Sequence, residues 1–205
     1  MIKFFWGVLF CVLVSTKWVQ ADNHLQNINI DESFKTAVKL VEKKQYIDAV
    51  DIFNVLAEQE IPEAQFNLSL MLFNGLGAPK NFRQALVWSW KAHLNKHEAA
   101  RSQVTEILDK VTPELRSDVA NKLITELTGL AKKGDAEAAL KLGITFINLM
   151  VEPDYASAYV WLSIAQAYGI EEASALLSDV TEQLAIEEVL IKQDEASKLF
   201  TEINK

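Results

Sequence analysis

The sequence predicts an all-α fold assembled from stacked helical hairpins. Two observations carry this. First, Glu63–Ala100 reads as helix, glycine turn, helix, and Glu137–Ala173 reads the same way with matching apolar positions. Ala64, Leu68, Ser69 and Leu72 correspond to Ala138, Leu142, Gly143 and Phe146, and Ala85, Trp88 and Ala92 correspond to Ala158, Trp161 and Ala165. Self-similarity of small and large apolar residues at fixed offsets is the mark of a repeat architecture. Second, the alanines recur: Ala64 to Ala100 is 36 residues, Ala100 to Ala138 is 38, and Ala138 to Ala173 is 35. Composition agrees, because only 7 Gly and 4 Pro in 205 residues cannot supply the turns of an all-β fold.

The chain starts with Lys3, then an apolar run Phe4–Val14, then Val19-Gln20-Ala21 with Asp22 following. A positive start, a short apolar core and a small-residue site predict a signal peptide over 1–21, cleaved after Ala21. Such a run is shorter than the ~20 residues a spanning helix needs, so no membrane span is expected after cleavage, although the leader could be retained as an anchor. The single cysteine, Cys11, lies in this leader, so the mature chain can form no disulfide and no thiolate site. An exported chain without cysteine suits a bacterial envelope, and the expected location is periplasmic or secreted. The formal net charge of −8 argues against nucleic acid as a partner.

Residues 22–30 read as a flexible lead-in and 31–205 as one continuous domain. A first helix is expected from a cap at Asp31 or Ser33 to about Lys44, on the spacing of Phe34, Ala37, Val38 and Val41. A second runs from Tyr46 to Gln59. Pro62 opens a third, apolar nearly all round, which Asn74-Gly75-Leu76-Gly77 ends. Asn81 caps a fourth. The segment 98–134 keeps the period but lacks the tryptophan and the glycine turn. Within it Val104 and Leu108 stand where Leu68 and Leu72 do, and Gly134 where Lys96 does. Thr112-Pro113 starts a long helix to about Lys133. A helix from Asp135 to Met150 repeats the two-sided apolar pattern, and Asp154 caps the next. Helices over Glu171–Glu182 and Ile186–Ile203 finish the chain, the last with a charged face suited to sealing a stack.

These offsets resemble the Sel1-like repeat family, relatives of the tetratricopeptide repeats. The resemblance rests on Ala64, Leu68, Gly75, Gly77, Ala85, Trp88 and Ala92, and again on Ala138, Leu142, Gly143, Asp154, Ala158, Trp161, Ala165 and Gly169. Departures are Ser69 for glycine, Leu72 and Phe146 for tyrosine, and Leu149 and Val151 at turn glycines. Clear repeats cover about 63–97 and 137–170. The resemblance implies a right-handed α-α superhelix of about four hairpins with a C-terminal capping helix. It further implies an adaptor that binds other proteins, working in the envelope, without cofactor. Alternatives from other classes are a peptidoglycan- or β-lactam-related envelope enzyme and an accessory subunit of a secretion or motility machine.

No catalytic constellation emerges. His93 and His97 stand four apart, a spacing that can place two metal ligands on one face, but they straddle a helix end and read more simply as solvated. His24 falls in the lead-in. Trp88 takes the structural position of the repeat, and Trp90 reads as packed or partly exposed rather than as a stacking platform for a ligand. The candidate binding surface is the second apolar stripe of each first helix: Phe66, Leu70, Phe73 and Asn74, with Leu140, Ile144, Ile147 and Asn148. Together they form either a groove for a partner helix or peptide, or one filled by this chain's own helix 113–133 or tail.

Overall fold

The computed structural model describes residues 29–205. The leader over 1–21, with Cys11, and His24 of the lead-in lie outside the described residues. Among the described residues all regular structure is helical: α1 (Ile30–Glu42), α2 (Tyr46–Glu58), α3 (Pro62–Asn74), α4 (Phe82–Leu94), α5 (Ala100–Leu108), α6 (Pro113–Ala131), α7 (Ala136–Asn148), α8 (Tyr155–Ala167), α9 (Glu171–Thr181) and α10 (Ile186–Ile203). The fold is an α-α superhelix.

Local chemistry sets most of the boundaries. The side chains of Asn81, Thr112 and Asp154 each accept a hydrogen bond from the backbone three residues on, at Gln84, Leu115 and Ser157. Each satisfies one of the amide donors that a helix start leaves without a partner. The first cap differs from expectation. Asn29, not Asp31 or Ser33, accepts from the Glu32 amide at 3.2 Å, so α1 starts earlier and Asp31 becomes a first-turn acid favourable to the helix dipole.

The helices that follow α2, α4, α6 and α8 in the stack are reached through a left-handed residue. Glu60, Lys96, Gly134 and Gly169 have φ of 61°, 67°, 89° and 89°. These four carry the same 36-, 38- and 35-residue spacing as the alanines. Two of them are not glycine, and each non-glycine residue there carries about 1–2 kcal/mol of backbone strain.

The packing shows a larger repeating unit than the hairpin. α1 packs on α2, α2 on α3, α3 on α4 and α7 on α8, as hairpins and their stacking require. In the middle of the chain α4 receives both α5 and α6, and at the end α8 receives both α9 and α10. The two short helices, α5 (9 residues) and α9 (11 residues), pack on the 13-residue helix before them rather than on the long helix that follows. Thus α3–α6 and α7–α10 have one connectivity, joined by α6 against α7.

A continuous core runs through the stack. Ala64, Leu68, Ala85 and Ala92 lie in it, as do Ala138, Leu142, Ala158 and Ala165. The alanines let backbones approach, and the larger residues fill the remaining gaps at interior density. Trp88 and Trp161 are buried alike, at 9% and 8% exposure. α4 and α6 are also tied outside the core, by Arg83–Asp118 at 3.0 Å and Lys91–Glu126 at 2.6 Å. The end of the stack is less sealed than its charged face suggests. Ile186, Leu190 and Ile191 on α10 are 64%, 56% and 64% exposed.

Candidate partner-binding face

A cavity of about 610 Å³ opens between the end of α4, α5, α7 and α9. Its lower part is apolar: Trp90 and Leu94 from α4, Val104 and Leu108 from α5, Leu140 and Ile144 from α7, and Leu176 from α9. Trp90 is only 2% exposed. Its indole N–H donates to the Thr145 hydroxyl on α7 at 3.1 Å, which satisfies a donor that burial would otherwise penalise. That bond also links α4 to α7 at the cavity floor. The long helix α6 packs against α4 and α7 instead of filling this space.

The rim is polar. Lys96 takes a left-handed conformation, and the His97 amide then turns back to bond the Ala92 carbonyl at 2.9 Å. This reversal lays the His97 ring on Phe66 of α3, with centroids 4.2 Å apart. The His93 ring leans on Trp90 at 5.1 Å. Burial holds His93 below the ordinary histidine value, and the nearby Arg101 guanidinium adds to the shift. The two histidines are therefore packed on aromatic rings, which corrects the expectation of a solvated helix end. Among the described residues no three metal-ligating side chains gather. Lys96 crosses the rim to Glu172 of α9 at 2.9 Å, and this partnership raises the Lys96 pKa.

The sequence-derived groove residues separate into groups. Leu140, Ile144 and Asn148 line the cavity. Phe66 reaches it through the His97 ring. Phe73 packs on Phe82 at 5.4 Å, closing its own hairpin. Leu70 and Ile147 are half-buried, and Asn74 is exposed with its amide on the Leu70 carbonyl. The residues that sequence reasoning missed are those of the middle unit: Arg101, Val104, Leu108 and, facing them, Leu176. The available signal was the degeneracy of 98–134, because a unit without the tryptophan and glycine turn gives a short helix that leaves space beside it.

The stack of helices thus leaves an open, ligand-sized cavity with an apolar floor between α4, α5, α7 and α9. The Sel1 repeat family model matches residues 62–92 and 136–165, the α3–α4 and α7–α8 hairpins. The chain thus carries two segments that match the Sel1 repeat, in keeping with a Sel1-like repeat protein. Sel1 repeats generally mediate protein–protein interaction, and their solenoids are typically scaffolds without catalysis.

Among solved structures, the chain is similar to a protective antigen of uropathogenic Escherichia coli strains that displays an SLR fold. That match has 18% identity and a TM-score of 0.33, over 90% of this chain and 48% of that one. It is similar also to a Sel1 repeat protein from Oxalobacter formigenes, at 22% identity and a TM-score of 0.27, over 66% of this chain and 49% of that one. The chain thus spans about half the length of either. No curated protein matches the chain. No helix among the described residues is long and apolar enough to cross a membrane.

Proposed function

We propose that the protein is an exported scaffold of the bacterial cell envelope that binds another protein through the face bearing the cavity. The observation that carries the binding reading is the open cavity of about 610 Å³ between α5, α7 and α9. Support for export comes from the sequence, with Lys3, the apolar run Phe4–Val14 and the small-residue site before Asp22. The Sel1 repeats support a protein as the partner. On this reading the chain works by holding a partner, with no chemistry of its own.

The test is capture of partners from envelope extract by the wild-type chain and by a Leu70→Asp/Ile144→Asp variant. Both positions are half-buried, so the folded state of the variant is checked by circular dichroism. Loss of captured partners supports the reading; a folded variant with an unaltered set of partners overturns it. N-terminal sequencing of the protein recovered from the envelope should begin at Asp22.

A further inference from the structure

The rim of the cavity holds one cation without a partner. Lys96 is matched by Glu172. Arg101, on the first turn of α5, makes no ion pair and no side-chain hydrogen bond among the described residues, although it lines the cavity. Glu98 also lines the rim and is not paired with it. One further feature favours negative charge at this point, and a second leaves a polar atom unsatisfied beside it. α5 follows Ala99, and no side chain caps it; the Ala100 amide bonds the His97 carbonyl at 3.1 Å, which leaves the Arg101 and Ser102 amides and the positive end of the dipole at the rim. His97 Nδ1 is buried and has no hydrogen-bond partner among the described residues. A buried polar atom without a partner is unfavourable until something supplies one.

Below this rim the cavity is apolar, and the Lys96–Glu172 pair links the α4–α5 turn to α9 across it. A guest that suits this site presents a carboxylate and an apolar group side by side, and the Lys96–Glu172 pair favours one that ends there over one that runs through. A polypeptide's last residue has this form, since its carboxylate and side chain share one Cα.

We propose that the cavity receives the C-terminal residue of the partner protein, with the terminal carboxylate on Arg101 and the uncapped start of α5 and an apolar side chain on Trp90, Leu94 and Ile144. This rests on the scaffold reading and names the chemistry of its partner. Guanidinium and carboxylate can meet through two parallel hydrogen bonds, which gives direction as well as strength.

The experiment selects binders to the full chain from random hexapeptides displayed with free C termini, then measures a selected peptide as free acid and as C-terminal amide. The selected peptides are expected to end in an apolar residue. Amidation, or Arg101→Gln in the protein, should weaken binding about tenfold or more. Arg101→Gln should have little further effect on the amide, because each change removes the same contact. Arg101 is exposed, so the substitution leaves the core intact, and the comparison of acid with amide needs no variant at all.

The proposal is overturned if acid and amide bind equally, if the selected motif is internal, or if no peptide is selected. If any of these results accompanies loss of partner capture in the Leu70→Asp/Ile144→Asp variant, the scaffold reading stands and only this inference fails.

Discussion

The two Sel1 hairpins turn by different means and arrive at the same closure. In the first, the Asn81 amide bonds the Leu72 carbonyl at 3.0 Å; in the second, the Asp154 amide bonds the Phe146 carbonyl at 3.0 Å. These are corresponding positions, although the second turn is one residue shorter. The first turn bends through its own backbone. Gly75 and Gly77 have φ of 74° and 75°, and Gly77 presses so closely on α2 that a Cβ there would run into the Tyr46 carbonyl. The second turn has no glycine. Leu149 is buried in a right-handed conformation, and the Arg116 guanidinium of α6 donates to the carbonyls of Asn148, Leu149 and Met150, at 3.2, 2.8 and 2.7 Å. A cation at a helix C-terminus supplies the donors its last carbonyls lack. One turn is thus encoded within itself, and the other is completed by a neighbouring unit.

The interior of the two hairpins shows a second exchange. In the first, Ser69 faces α4, donates to the Ala85 carbonyl at 2.7 Å, and stands with small Ser89. In the second, Gly143 takes the place of Ser69 and Leu162 the place of Ser89. A Cβ on Gly143 would lie 2.5 Å from the Leu162 side chain. Volume removed from one helix is returned by its partner, so the helices keep their approach.

Substitutions can break these comparisons one at a time. The largest effect is expected for Gly77→Ala, which adds left-handed strain to a clash with backbone. It should destabilise by roughly 2–5 kcal/mol in urea unfolding, and a change under about 1 kcal/mol would mean the turn is not held against α2. Arg116→Met keeps the apolar stem but removes the three donors. It should cost about 1.5–3 kcal/mol, with faster amide exchange at the end of α7 and no change at the end of α3. Equal exchange changes at both turns would show that Arg116 acts globally instead. Gly143→Ser should cost roughly 1–3 kcal/mol, and less in a Leu162→Ser background, where the second hairpin takes on the first hairpin's pair. Additive effects in that double-mutant cycle would refute the exchange of volume. The smallest effect should be a gain. Glu60→Gly relieves a left-handed residue at the cost of a 3.8 Å contact to Lys141, and a rise of about 1 kcal/mol is expected from thermal unfolding.

How legible each feature was follows from how local its cause is. The helix starts at Asn81, Thr112 and Asp154 were readable because a cap acts over three residues. The period was readable because every unit repeats it, and the positive φ of Gly134 and Lys96 falls where the sequence aligned the two. The first cap was misplaced because α1 has acceptors at Asn29, Asp31 and Ser33, and local pattern alone does not rank them. Five of the eight candidate groove residues, Phe66, Leu70, Phe73, Asn74 and Ile147, sit outside the cavity lining. An apolar stripe identifies a face but not which neighbour occupies it. His97 was read as solvated because its stacking partner, Phe66, is 31 residues away.

The sequence by itself determined that the chain is a stack of helices with a period near 36 residues, where most of the helices begin, and which small residues let them approach. These depend on interactions within a turn or two of backbone. The tertiary structure alone decided that α5 and α9 pack on the helix before them, that Arg116 finishes a turn more than thirty residues away, and that a cavity opens between the two short helices. Contacts of that range leave no local periodicity, because they depend on the space that remains once every helix has found its neighbours.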